Sequence, residues 1–286
     1  MRNWFPDTGE FIGKGETGTL KRPDPLSLAL SLLAFLFCIL PPALAAAFDV
    51  KGLQPLSPYG VFSAFSAESL PRNKIGFGLG FEKSSEPKIK RFIFQTAYGL
   101  TDAVELNATL PYVMEWEDSL EGFEDANLGI KYRFLEEGSY TPAVALLFTG
   151  SFPSGKDEFS TDGGLGGGII LTKKVGPFRG HINALYSNPG EESLQDEYTL
   201  NAGAELAVTH SSKVLAEVVG RKNYFKNKID LLEWRLGYRI ATTDYLYTTI
   251  GGGFDIKNRN PDYRFVLSVS IILPREKRKF QKIYED

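Results

Sequence analysis

The chain has 286 residues, a formal net charge of −3, 43% hydrophobic residues and one cysteine. So balanced a charge gives no electrostatic case for nucleic acid as a partner. A lone cysteine excludes a disulfide framework within the chain.

Leu26–Leu40 is an apolar run of about 15 residues, flanked by Lys21 and Arg22 before it and by Pro41, Pro42 and the Ala-rich stretch 43–47 after it. The roughly 20 residues needed to span a bilayer as a helix are not reached. A basic flank, a short hydrophobic core and a small-residue end read as a secretory signal peptide over residues 1–47, with a long n-region. Cleavage is expected between Ala45 and Phe48. Cys38 lies inside the leader, and Phe37 stands where a lipoprotein would need a small residue, so the mature chain carries no cysteine. The remaining length of about 240 residues suits one domain.

Residues 48–73 are the least regular mature segment, with Pro55, Pro58, Gly60 and Pro71 set among Leu53, Tyr59, Val61, Phe62 and Phe65. They read either as a periplasmic lead-in or as a plug folded into a barrel mouth. The aromatics argue against disorder and so favour the plug.

From residue 74 to 273 a two-residue rhythm takes over. In Tyr263–Leu273, Tyr263, Phe265, Leu267, Val269, Ile271 and Leu273 share one face, and Arg264, Val266, Ser268, Ser270 and Ile272 share the other. Successive side chains of a strand point to opposite faces, so this is an apolar wall with a mostly polar back. Twelve such segments are expected, near 74–83, 88–98, 103–112, 126–135, 142–152, 163–173, 178–188, 197–209, 213–222, 229–240, 245–255 and 262–273. The second, fifth and ninth alternate least cleanly. Connections alternate in length as well. Short ones at 99–102, 174–177, 210–212 and 241–244 interleave with longer ones at 113–125, 153–162, 189–196 and 223–228. The 136–141 connection is long for its place, and 84–87 is short.

The fold class expected is therefore all-β: a single-domain antiparallel transmembrane β-barrel of about twelve strands in the bacterial outer membrane, with short periplasmic turns and longer external loops. A secreted β-sandwich also alternates, but has no reason to alternate its loop lengths. Tyr98, Tyr112, Phe134, Tyr186, Tyr245, Tyr247 and Tyr263 are candidates for interfacial girdles. Residues 274–286 form a charged periplasmic tail.

The inward face supplies Glu105, Lys131, Arg133, Glu205, Glu233, Arg235, Arg239, Asp255 and Arg264 as candidate pore-lining residues. Both signs are present, so no strong ion selectivity is expected. Glycines share one face at 76, 78 and 80, at 164, 166 and 168, and at 251 and 253. Strand curvature and room inside for a solute or for the N-terminal segment are both open explanations.

No catalytic, cofactor or metal site is assigned, and the protein is not expected to be an enzyme. His181 and His210 are the only histidines. His181 and Ser187 lie six residues apart on one strand, roughly 20 Å, too far for a Ser–His pair. The acidic stretch around Glu115, Glu117, Glu121, Glu124 and Asp125 lacks the alternate-position ligand register of a calcium loop. Gly163–Gly168 is followed by neither the helix nor the Lys-Ser/Thr of a phosphate loop.

Tyr98-Gly99-Leu100-Thr101-Asp102, Val104–Val113 (VELNATLPYV), Ala126–Phe134 (ANLGIKYRF) and Phe152-Pro153-Ser154-Gly155 together resemble a family of outer-membrane transporters grouped with the meta-pathway of phenol degradation. Ala126 stands where that pattern has Asp, with Asp125 beside it. The resemblance implies a β-barrel channel for aromatic or other small hydrophobic compounds. The expected function is thus an outer-membrane channel or transporter for small solutes. Its expected partners are outer-membrane lipid, the solute and the barrel-assembly machinery. The rival readings are a structural or adhesive barrel with a blocked lumen, and an outer-membrane lipid-modifying enzyme.

Overall fold

The computed structural model describes residues 52–85, 88–117, 119–192, 194–222, 229–256 and 263–274. The expected leader and the expected charged tail beyond residue 274 lie outside them. The strands are β1 (Ile75–Ser84), β2 (Ile89–Gly99), β3 (Val104–Trp116), β4 (Leu120–Phe123), β5 (Ala126–Leu135), β6 (Ala143–Phe152), β7 (Gly164–Val175), β8 (Phe178–Pro189), β9 (Glu197–Ala207), β10 (Ser212–Lys222), β11 (Ile229–Thr243), β12 (Leu246–Asp255) and β13 (Tyr263–Leu273).

Each wall strand pairs antiparallel with the next one along the chain, β3 with β5, and β1 pairs with β13 from Ile75↔Leu273 to Ser84↔Arg264. That pairing closes the sheet, so no edge is left for the bilayer to strand without hydrogen bonds. Of the thirteen strands, four-residue β4 only prolongs the line of β5 along β3, where Tyr112 pairs with Phe123. Twelve strands therefore form the wall, as the alternation predicts. The sequence pattern ended the third strand near residue 112, but it runs on to Trp116 because β4 pairs with it there.

The outward face is apolar. Phe77, Leu79, Phe94, Ile130, Phe148 and Leu200 are each 46–59% exposed. In water so continuous an apolar band would be an aggregation surface, whereas in lipid it is the lowest-energy arrangement. Outward aromatic pairs gather at the end with the long loops. Phe81 meets Phe92, Tyr112 meets Phe123, Tyr186 meets Tyr198, and Trp234, Phe254 and Tyr263 form a row, with ring centroids 4.9–5.5 Å apart. Amphipathic rings favour the headgroup level, so this belt marks one interface. Tyr247, expected in a girdle, instead faces inward opposite Ser270 and packs against the cluster of Leu56, Leu70, Ala97 and Ile272.

The opposite end carries the tight turns. The 136–142 connection, long for that end, is tied down by β7. Lys173 Nζ donates to the carbonyls of Gly138, Ser139 and Thr141 at 2.6, 3.1 and 3.3 Å. The Lys174 amide donates to Glu137 at 2.9 Å.

Residues 53–70 lie inside the barrel. Leu56, Phe65, Ala67 and Leu70 are no more than 2% exposed. They form the apolar part of the core, because the wall's own inward face is largely polar. Several strands are exceptions, among them β7 and β13, whose Ile170 and Ile272 pack on Phe65 and Ala67 and on Leu56 and Leu70. Ala97 of β2 packs on Leu56 and Leu70. Ala143, Ala145 and Leu147 of β6 pack on Phe65 and Ala67. Leu215 of β10 packs on Val61 and Phe62.

Candidate functional site

The inner segment makes a full lap of the lumen, touching the wall strands in order. The Gln54 amide donates to Thr109 of β3 and Gln95 of β2 donates to the Pro55 carbonyl, at 3.4 and 3.3 Å. Leu56 covers Gly76 and Gly78 of β1, where a Cβ on Gly78 would stand 2.7 Å from its methyl. Ser270 of β13 donates to the Ser57 carbonyl at 2.8 Å, and the Ser57 and Thr249 hydroxyls lie 3.3 Å apart at β12. Arg239 of β11 donates to the carbonyls of Gly60 and Val61. Glu217 of β10 then accepts the amides of Phe62, Ser63 and Ala64 at 2.9–3.1 Å.

The lap continues past β9, where Val61 and Ala64 face Gly203. Asn183 of β8 accepts the Phe65 amide at 2.6 Å and donates to its carbonyl at 2.9 Å. Thr172 of β7 accepts the Ala67 amide at 2.8 Å. Lys131 of β5 donates to the Glu68 carbonyl at 2.7 Å, and Glu105 of β3 accepts the Leu70 amide. An irregular chain in a buried lumen leaves its N–H and C=O groups to be satisfied by something other than itself, and inward side chains do so here.

Eight of the nine expected pore-lining residues are buried in that lumen: Glu105, Lys131, Glu205, Glu233, Arg235, Arg239, Asp255 and Arg264. The ninth, Arg133, sits at the short-turn rim. It donates to the Asp102 carbonyl at 2.9 Å and meets Glu136 at 3.4 Å. Buried charges need partners, and these are arranged in relays. One runs Glu124–Arg91–Glu82–Arg264–Glu233–Arg235–Glu217, with alternate signs throughout. Its Arg91–Glu82 and Arg235–Glu233 links are 2.6 and 2.8 Å. A second joins Lys213 and Arg239 through Glu205, at 2.6 and 2.8 Å. A third pairs Lys131 with Glu105 at 3.1 Å.

Sequence reasoning left out Arg91, Glu82, Glu124, Glu217 and Arg221. The parity signal was present for Glu82, which opposes Phe81 along β1. For Arg91 and Glu217 it was masked by the apolar inward neighbours of β2 and β10. Glu124 falls in the expected 113–125 connection, yet its carboxylate lies 3.3 Å from Arg91. Asp125 fastens the 153–163 loop by accepting from Gly155 N, Ser160 Oγ and Thr161 N at 3.1, 2.8 and 2.8 Å. His181 is buried with its Nδ1 2.9 Å from the Thr172 hydroxyl and its Nε2 3.8 Å from Glu205. Ser187 pairs in register with Gly166, away from it.

Toward the long-loop end, a recess of about 100 Å³ remains between β5–β9 and the inner segment, which contributes Gly52, Leu53, Ser63 and Phe65 to its lining.

These features define a class, the closed transmembrane β-barrel of outer-membrane type with an occupied lumen. No protein-family model matches the chain, and no curated protein matches it. Among solved structures it is similar to a KdgM porin in complex with disordered oligogalacturonate, at TM-score 0.54 and 7% identity, over 68% of this chain and 98% of that one. It is similar also to the NanC porin, at TM-score 0.51 and 10% identity, over 68% and 98% respectively. At such identities the likeness is one of fold.

Proposed function

We propose that this protein is an outer-membrane channel for small solutes whose passage is closed by residues 53–70. The observation that carries the reading is the kind of bond that holds this segment. Nine of the twelve wall strands grip its backbone through polar side chains. A typical intramolecular hydrogen bond contributes about 0.5–1.5 kcal/mol net, and one to a charged group about 1.5–3, because water replaces it when it breaks. Such a segment can be exchanged for water and solute, whereas a fully apolar plug could not. Twelve strands lie between small barrels filled by side chains and sixteen-stranded aqueous porins, so a narrow passage is the physical expectation.

In this reading the nine charges from Glu105 to Arg264 line the passage and the long loops face outward. Residues 1–47 are removed on export, and the barrel-assembly machinery inserts the apolar wall into outer-membrane lipid. The porin-like fold supports a channel role, and the resemblance to the meta-pathway transporters supports aromatic or other small hydrophobic compounds as cargo. The occupied lumen is also what a structural barrel would have. Uptake by liposomes separates the two. Vesicles carrying the protein should take up members of a small-solute panel faster when residues 53–70 are deleted. Equal, background uptake by both forms would favour the structural barrel.

A further inference from the structure

The recess on the long-loop side of the inner segment is not accounted for by closure alone. We propose that it is a binding site for a neutral single-ring solute carrying hydroxyl donors, an inference that rests on the channel reading and names the cargo class at its outer mouth.

Size sets the first limit. At about 100 Å³ the recess is smaller than the roughly 150 Å³ cavity known to hold a benzene molecule, so one small ring is the upper limit of what it takes. Its two sides set the second. Phe65, Leu147 and Leu185 give an apolar wall for a ring face. Asn127, Glu197, Thr199 and Asn201 give a polar wall of amide, carboxylate and hydroxyl groups, and among the described residues no lysine or arginine belongs to the lining. The guanidinium that balances Glu197 stands behind it, with Arg221 3.6 Å away. An entering anion would therefore meet carboxylate oxygens first, whereas a neutral solute meets no such repulsion.

A separate observation points to a ligand. Asn201 is 2% exposed, and its Nδ2 donates to the Ser63 carbonyl at 3.4 Å. Among the described residues its Oδ1 has no hydrogen-bond partner. Leaving a buried acceptor unmade costs about 1–3 kcal/mol, so such an atom beside a cavity calls for a donor. A hydroxylated ring supplies that donor and fills the apolar side at once.

The test is isothermal titration of the folded, detergent-solubilised full-length protein with catechol, myo-inositol, benzoate and glycerol. Saturable binding of catechol, of myo-inositol or of both is expected. Catechol alone would assign an aromatic ring, and myo-inositol alone a saturated one. Benzoate, with the ring but a negative charge, and glycerol, with hydroxyls but no ring, should bind at least tenfold more weakly. Asn201→Ala, which removes the acceptor and adds no bulk, should weaken binding about tenfold. Thr199→Phe, which fills the recess, should abolish it. The inference is overturned if neither hydroxylated ring saturates, if benzoate binds as tightly, or if both variants bind like the parent. Transport is not read in this experiment, so failure of the channel reading would appear in uptake and failure of the recess in titration.

Discussion

Glu217 holds Ser63 with both carboxylate oxygens, which accept the Ser63 amide at 3.1 and 2.9 Å, and the Ser63 hydroxyl donates to the same group. The neighbouring amides of Phe62 and Ala64 bond there too, at 3.0 Å each. One wall carboxylate thus fixes the midpoint of the inner segment. It is also the last member of the relay that begins at Glu124.

Glu217→Gln should loosen that midpoint without dissolving the barrel, because Arg235 keeps Glu233 at 2.8 Å. Hydrogen bonds to a charged group contribute about 1.5–3 kcal/mol, so amide exchange at residues 62–64 should rise about ten- to a hundredfold. Hydrogen-exchange mass spectrometry on folded protein measures it, and unchanged protection would argue against the latch.

Two adjacent glycines give a matched pair. A Cβ on inward Gly251 would stand 2.5 Å from two carbons of the Phe62 ring, while one on Gly252 would meet nothing closer than the Arg264 carbonyl at 3.5 Å. Gly251→Ala should therefore unseat Phe62, and Gly252→Ala should be silent. Overpacking a filled interior costs about 1–3 kcal/mol. Limited proteolysis within residues 52–70 reads the difference, and adding Phe62→Ala to Gly251→Ala should suppress any effect of Gly251→Ala that acts through the Phe62 ring.

The wall was legible because lipid outside and polar contents inside enforce a period of two along each strand. Val104–Leu110 displays that period without a break, and Tyr263–Leu273 breaks it only at inward Val266 and Ile272. The three blurred segments were blurred for one reason. Ala97, Leu147 and Leu215 point inward yet are apolar, because they pack on Leu56, Phe65 and Phe62 of the inner segment. The lap itself was not legible. It depends on bonds between residues more than a hundred positions apart, such as Phe65 to Asn183, and the irregular segment carries no periodic signal of where it goes. The relay was half visible for the same reason, since Arg91 lies between inward Ile89 and Ile93.

Leu106 tests the lipid face. It is 37% exposed on the outer wall. Arginine on a lipid face costs about 2–4 kcal/mol at the bilayer midplane. Leu106→Arg should reduce the heat-modifiable, folded band on gels, while Leu106→Phe should leave it intact. Equal folding of both would reverse the assigned facing.

The turn at 136–142 should respond to acid. Partial burial opposes ionisation of Glu137, but the Lys174 amide and the Lys173 ammonium outweigh it and hold the carboxyl below its usual range. A carboxylate with a depressed pKa adds stability above its unfolded value and loses that stability as pH falls through the folded value. Amide exchange at residues 136–142, corrected for intrinsic rates, should thus be pH-independent near neutrality and should accelerate below the ordinary carboxylate range. Lys173→Ala should bring the onset to higher pH, and an unmoved onset would detach the turn from this ion pair.

Single-channel conductance in planar bilayers bears most directly on closure by the inner segment. The full-length protein should conduct little, because residues 53–70 lap the whole lumen. A variant lacking those residues, with its folded state checked by heat-modifiable mobility, should open to a steady conductance, and Glu217→Gln should flicker between the two levels. Equal conductance in the full-length and deleted forms, both folded, would contradict closure of the passage by this segment.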